Sequence, residues 1–294
     1  MGINRRTFLK GLGVGIAGIA PGSSLLPKRV DAAETPANTE FMGVLVDTTR
    51  CVGCRTCEQT CAETHNLPIP DISDTTVFER NRSTTETQRT VVNRYATAKG
   101  EMFAKTQCMH CNQPGCVSAC PVKAMEKRKE GPVTWDTNCI GCRYCMVSCP
   151  FDIPKFEHSA TPKLQKCSLC WERLKQGEKP ACVETCPADA LTFGTRRELI
   201  EEANRRIYKS PKEYISHIYG EHEAGGTGCL YLSSVPFEQI GFRNDLGTIA
   251  YPEYTKGFLY SVPAILLLWP AFLSGVSAIT KRKENVRNEE GGKR

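Results

Sequence analysis

Histidine and tryptophan are scarce in this sequence, at five and three residues in a chain of 294. The histidines are scattered and no H-E-x-x-H occurs, so nothing supports a zincin-type centre. No G-x-G-x-x-G follows a predicted strand, and neither a P-loop nor a nucleophile elbow is found. Nucleotide binding and serine-hydrolase chemistry therefore find no support. The net charge of +6 is carried by the two ends, with a net +4 on residues 1–32 and +3 on residues 281–294. The body between them stands at −1. A body without a basic excess has no electrostatic footprint for nucleic acid, and no nucleic-acid partner is expected.

What charge there is at the ends points to a membrane. The chain opens Asn4-Arg5-Arg6-Thr7-Phe8-Leu9-Lys10, continues apolar and Gly/Ala-rich from Gly11 to Ala20, and reaches Val30-Asp31-Ala32-Ala33. A basic region, a short apolar region and a small-residue site make a secretory signal over residues 1–32, cleaved after Ala32 or Ala33. The paired arginines before Phe-Leu-Lys resemble the twin-arginine class. At the other end, Gly257 to Thr280 holds no formal charge and is followed by Lys281-Arg282-Lys283. At a rise of 1.5 Å these residues span roughly 36 Å, enough for a hydrocarbon core of ~30 Å. Pro263 and Pro270 are tolerated in a membrane helix. The positive-inside rule puts residues 281–294 in the cytoplasm, and the export signal independently puts the body on the periplasmic face.

Cysteine is abundant where those residues are scarce, and sixteen of the seventeen fall into four groups. They are Cys51-x2-Cys54-x2-Cys57-x3-Cys61, Cys108-x2-Cys111-x4-Cys116-x3-Cys120, Cys139-x2-Cys142-x2-Cys145-x3-Cys149 and Cys167-x2-Cys170-x11-Cys182-x3-Cys186. Cys229 is left over and reads as an inert buried thiol. Groups one and three have the bacterial ferredoxin spacing, in which three thiolates on a tight loop hold one 4Fe–4S cluster and the fourth serves its neighbour. Sixteen thiolates then bind four clusters. Pro121, Pro150 and Pro187 follow groups two, three and four, whereas Ala62 follows group one.

A membrane-tethered structural zinc protein is the rival from another class, but zinc does not call for the repeated third and fourth spacings. Disulfides suit an exported chain yet not four dense quartets. Spacing does not settle which groups pair, since Cys120 and Cys139 are 19 residues apart and Cys149 and Cys167 are 18 apart.

Phe41 to Asp47 reads as a strand leading into group one, and Val91 to Tyr95 as a short strand. Asp71 to Thr90 is polar and without period, and reads as a surface insertion. Ala124 to Trp135 reads as a hairpin turning at Glu130-Gly131, Ala190 to Gly194 as a strand and Thr195 to Tyr208 as a helix. Gly225-Gly226-Thr227-Gly228 reads as a tight turn. His110 is a candidate donor to a cluster sulphur, and Trp171 a candidate shield beside Cys170.

These parts together resemble the periplasmic iron–sulfur electron-transfer subunits of respiratory oxidoreductases, above all the HybA-type subunits of membrane-bound NiFe uptake hydrogenases; the formate dehydrogenase β-subunits are also similar. Carrying the resemblance are Arg5-Arg6-Thr7-Phe8, Gln107-Cys108-Met109-His110-Cys111, Gly141 to Val147, Cys186-Pro187-Ala188, Phe193 to Arg196, and Ile218 to Glu221 with Gly225-Gly226-Thr227. The resemblance implies an α+β fold of two nested ferredoxin-like domains with four 4Fe–4S clusters and one C-terminal transmembrane helix.

It implies an outer domain over residues 33–98 and 162–200, with a polar insertion at about 67–98. An inner domain covers 99–161, an extension 201–256 and the membrane helix 257–280. One outer cluster would take Cys51, Cys54, Cys57 and Cys186, and the other Cys61, Cys167, Cys170 and Cys182. The inner ones would take Cys108, Cys111, Cys116 and Cys149, and Cys120, Cys139, Cys142 and Cys145. The implied role is a wire with no catalytic site of its own, joining hydrogenase small and large subunits, or a molybdopterin subunit, to an integral membrane subunit that handles quinone.

Overall fold

The computed structural model describes residues 40–159 and 162–291. The export signal expected over residues 1–32 lies outside them. The framework is a three-stranded sheet of β1 (Met42–Asp47), β8 (Leu191–Thr195) and β9 (Cys229–Leu232), with β1 in the centre. β1 runs antiparallel to β8, with Val44 opposite Phe193, and parallel to β9, with Val44 opposite Cys229. Both faces of β1 are covered, which is why its sequence is a continuous apolar run rather than an alternation. Val44 and Val46 join Leu191, Phe193, Cys229 and Tyr231 on one face, packed with Cys57, Cys182 and Cys186. Leu45, Leu230 and Leu232 pack on the other face against α6 (Arg196–Lys209), through Leu199 and Ala203.

α6 starts at a capping box: the Glu198 amide donates to Thr195 Oγ1, and the Thr195 amide to Glu198 Oε2. The sequence marked this helix to within a residue at each end. It did not mark β9, which enters the sheet from the segment read only as an extension. The strand run Cys229-Leu230-Tyr231-Leu232 is a four-residue signal too short to stand out.

Gly43 is where the chain comes closest to itself. A Cβ there would overlap the Gly228 carbonyl oxygen, the acceptor of the Val44 amide at 2.9 Å. Gly43→Ala should therefore push β1 from the segment entering β9 and cost about 1–3 kcal/mol, read as a lower denaturation midpoint.

Between β1 and β8 lies α1 (Thr56–Thr64), followed by a hairpin of β2 (Val91–Thr97) and β3 (Gly100–Thr106). β2 runs two residues beyond the expected strand, and β3 was not foreseen. Then come α2 (Gly115–Ser118), the hairpin β4 (Met125–Lys127) and β5 (Val133–Trp135), and α3 (Tyr144–Val147). The turn at Glu130-Gly131 falls where the sequence put it. The two-residue strands β6 (Lys155–Phe156) and β7 (Leu164–Gln165), α4 (Trp171–Leu174) and α5 (Ala181–Glu184) complete this part. Met125, Val133, Phe156 and Leu164 form a second small core around Cys145.

The polar stretch from Asp71 to Thr90 is irregular apart from one 3₁₀ turn at Thr76–Glu79, yet it is firmly tied down. Arg55 donates to the carbonyls of Asp71 and Asp74 at 2.8 and 2.9 Å, and Thr84 is buried against the Ile153 carbonyl.

The C-terminal helix α7 (Tyr251–Gly291) is longer at both ends than the expected 257–280. Its first turn explains the early start, since Tyr251 lies beside Gly115 of α2. From Tyr251 to Lys283 it is long and apolar enough to cross a membrane, and none of that segment is buried in the protein.

Candidate metal centres

The cysteine loops repeat in the backbone as well as in spacing. In group one Gly53 and Arg55 have φ of 71° and 60°; in group three Gly141 and Arg143 have φ of 69° and 62°. Left-handed residues at these two places fold each loop back so that three thiols face one side. Glycine is needed at the first of them, because a Cβ on Gly53 would run into the Phe103 ring.

The short helices α2, α3 and α5 each end two residues before a Cys-Pro pair, since proline disfavours helical backbone at the residue before it. Three residues beyond each of these cysteines, Lys123, Asp152 and Asp189 adopt positive φ, and their amides return to the carbonyls of Cys120, Cys149 and Cys186 at 3.2–3.3 Å. Group one lacks this stop. Ala62 lets α1 run through Cys61 to Thr64.

Thiols of groups one and four line two cavities. Cys51, Cys54, Cys57 and Cys186 line one, with Val46, Val92 and Leu191 as apolar wall. Cys61, Cys167, Cys170 and Cys182 line another, with Val44, His65 and Leu169. In the middle of the chain the thiols sort by their neighbours. Burial raises Cys111, and the thiols adding to the rise are Cys108, Cys149 and Cys116. Burial also pushes Cys145 up to about 12, and the thiols adding to it are Cys139, Cys142 and Cys120.

Burial likewise raises Cys116 and Cys167 to about 12 and Cys149 to about 11. In the metal-free chain these thiols hold their protons at neutral pH, so metal loading must displace protons. Cys54 and Cys142 are exposed, one in each ferredoxin-spaced loop.

Around these thiols lie three lysines that the sequence did not single out: Lys105 and Lys166, both buried, and Lys127, half-buried. The Lys105 ammonium donates to Thr90 Oγ1 at 2.7 Å and to Gln107. The Lys127 ammonium donates to the carbonyls of His110 and Gly131 and sits 4.2 Å over the Phe41 ring. The Lys166 ammonium reaches the carbonyls of Val133 and Cys167 and stands 3.8 Å from Cys108 Sγ. Among the described residues, the lysines in ion pairs are Lys155, Lys175 and Lys256 instead.

Burial pushes Lys127 down to about 8. Burial works against the Lys105 charge, and the nearby sulphurs of Cys182, Cys57, Cys167 and Cys61, where ionised, more than offset it and raise that lysine. Such cations are stable only beside compensating negative charge.

His110 is fully buried, and its Nδ1 accepts the Val133 amide at 3.0 Å. That leaves Nε2 as the protonated nitrogen, buried without a partner. Ser148 Oγ, beside Cys149, is another buried hydroxyl without one. His65 Nε2 lies 3.7 Å from Cys170 Sγ, and burial lowers its pKa to about 4, so it is neutral. Trp171 is half-buried after Cys170, and Arg128 lies over its ring; the cavity beside Cys170 is walled by Leu169 and Pro180. Cys229 is fully buried: it accepts from Gln107 Nε2 at 3.3 Å and donates to the Cys108 carbonyl at 3.2 Å.

Quartets of thiols around apolar cavities, unpaired ammonium groups and leftover donors together fit an anionic sulphur-ligated group.

Comparison with known proteins agrees with this chemistry. Residues 100–196 match the 4Fe-4S dicluster domain. A protein of Nitratidesulfovibrio vulgaris (strain Hildenborough) is 47% identical over 98% of this chain and 80% of its own length. The hydrogenase-2 operon protein HybA of Escherichia coli O157:H7 is 35% identical over 99% of this chain and 98% of its own. The iron-sulfur subunit of the nitrate-inducible formate dehydrogenase of Escherichia coli (strain K12) is 34% identical over 64% of this chain and 66% of its own. Four cysteine groups, the thiol-lined cavities and a near full-length match to HybA lead to one conclusion: the chain belongs to the HybA family of 4Fe–4S electron-transfer subunits.

Proposed function

We infer that the chain relays electrons through four 4Fe–4S clusters between a periplasmic hydrogenase and the membrane quinone pool. The observation that carries this is the pair of cavities, each lined by four cysteines drawn from groups one and four. The ligand sets are Cys51, Cys54, Cys57 and Cys186; Cys61, Cys167, Cys170 and Cys182; Cys108, Cys111, Cys116 and Cys149; and Cys120, Cys139, Cys142 and Cys145. The first two sets belong to an outer ferredoxin-like domain of residues 33–98 and 162–200, and the last two to an inner one of residues 99–161. The antiparallel pairing of β1 with β8 supports that nesting, because it joins chain from either side of the inner cysteines.

Bound clusters supply one-electron transfer at potentials the surrounding protein tunes. This chain's thiolates hold them, and Val44, Val46, Leu169 and Leu191 keep water away. Exposed Cys54 and Cys142 bring two of the sets to the surface, where electrons can pass to and from partners. Export by the twin-arginine signal over residues 1–32 and the orientation of residues 281–294 support a periplasmic body anchored by α7. The partners are then the hydrogenase small and large subunits and an integral membrane subunit at the quinone.

Likeness to the formate dehydrogenase subunit supports a second reading, the same wire serving a molybdopterin enzyme. Metal analysis of the complex purified through this subunit without oxygen separates them. Nickel together with excess iron is expected; molybdenum or tungsten in place of nickel would replace the hydrogenase. Cys142→Ser should remove or alter one cluster signal in electron paramagnetic resonance (EPR) spectra and cost up to about a quarter of the iron. Unchanged iron and spectrum would rule out its ligand set.

A further inference from the structure

Lys105 occupies a place no other charged residue shares, since it lines both outer cavities. It is 2% exposed on β3, anchored by Thr90 Oγ1 at 2.7 Å and by the Gln107 side chain. Other ionisable groups at the cavity walls are accounted for. Arg55 lines the first cavity, but its charge is matched by Glu58 at 3.1 Å. His65 lines the second, 3.7 Å from Cys170 Sγ, and is not part of the first. The Lys105 ammonium has a hydroxyl and an amide as its hydrogen-bond partners, and neither carries charge. An ammonium this deep is held only if negative charge sits close by. The two cavities it borders are where such charge would be.

We propose that Lys105 is the shared counter-charge of the two outer clusters and raises the reduction potentials of both. This rests on the ligand sets given above. Reducing a cluster adds one electron and no proton, so its negative charge grows by one. A fixed cation in a poorly polarisable interior favours that step, and net charge is one of the levers on cluster potential. Because one ammonium borders both cavities, its removal acts on two potentials together. The group also communicates inward. Gln107, which it holds, donates to Cys229 Sγ, and Cys229 donates to the Cys108 carbonyl.

The test is an EPR-monitored potentiometric titration of the full membrane complex, with iron counted, for wild type, Lys105→Met, Lys105→Gln and Lys105→Arg. In the Met and Gln variants the reduction equilibrium constant of two clusters should fall about tenfold or more, at 59 mV per factor of ten for one electron. The other two should move clearly less, and the Arg variant should stay near wild type. If Met and Gln variants fail to hold the two outer clusters while the Arg variant holds all four, the need for the cation is shown by assembly instead. Unmoved midpoints, a shift in one cluster alone, an equal shift in all four, or loss of all four even with Arg would overturn the proposal. A wild-type complex with fewer than four clusters would overturn the ligand sets themselves, and that result is visible before any variant is made.

Discussion

A chain ended after Pro252 should leave the membrane and stay folded. Core burial stops at Ala250, Tyr251 and Pro252 are half-buried, and from Glu253 to Lys283 the residues are exposed apart from half-buried Ser261, Val262 and Gly275. Phe258, Leu266, Leu267, Leu268, Trp269 and Phe272 are each 60% or more exposed. A helix apolar all round and unburied in its own protein gains its stabilisation from lipid, not from the core. Produced by itself, the shortened chain should pass from the membrane pellet to the soluble fraction almost completely. Iron per chain and the visible absorbance should match the full-length protein, and electron delivery to quinone should be lost. A shortened chain that still pellets with membranes would show that another surface makes the attachment. One that loses its iron would show that α7 supports the cysteine loops.

The second large effect is expected at Glu58, between Cys57 and Cys61 on α1. Its carboxylate is fully buried and receives Arg55 at 3.1 Å, Arg82 at 2.6 Å and the Val92 amide at 2.6 Å. Arg55 in turn holds the carbonyls of Asp71 and Asp74, and Arg82 holds that of Val92. Glu58→Gln keeps the shape and removes the charge, leaving two guanidinium groups confined without compensation. Breaking a buried ion network from one side costs about 3–5 kcal/mol. Urea should release iron at a lower concentration, and proteolysis should begin between residues 65 and 90, where the anchors are lost. Arg94→Gln is the control. It breaks an ion pair with Glu101 in which both partners are exposed, worth about 0–1 kcal/mol. Equal sensitivity of the two variants would mean the Glu58 network is not what secures the insertion.

Glu58 and Lys105 show what a sequence hides. The sequence singled out neither, one on the short helix α1 and the other near the end of β3. Nothing local marks either as buried, because burial of a charge depends on partners elsewhere in the chain: Arg82 for Glu58, and Cys182 and Cys186 across both cavities for Lys105. The segment from Asp71 to Thr90 was read as surface for the same reason. Its polarity is real, but several of its polar groups point inward to Arg55 and Ile153. His110 is a partial case. Its position between Cys108 and Cys111 flagged it, and the structure gives one ring nitrogen to the Val133 amide and leaves the other as a buried, unpaired donor.

The sequence by itself determined what is local. Spacing and flanking residues set the local form of the cysteine loops: two left-handed residues shape groups one and three, and a proline stops the helix at the end of groups two, three and four. An uncharged run of sufficient length determined the helix able to cross a membrane, and Thr195 with Glu198 determined where α6 begins. Tertiary structure alone decided what depends on distant partners. It drew thiols of groups one and four to two shared cavities, where spacing left the pairing of groups open. It brought β9 in beside β1 as a parallel neighbour, a contact that no turn or short-range pattern signals. It also placed one ammonium between two thiol-lined cavities. The cause is the same throughout: loop geometry is fixed by steric limits within a few residues, whereas pairing and charge burial are fixed by packing that local sequence does not encode.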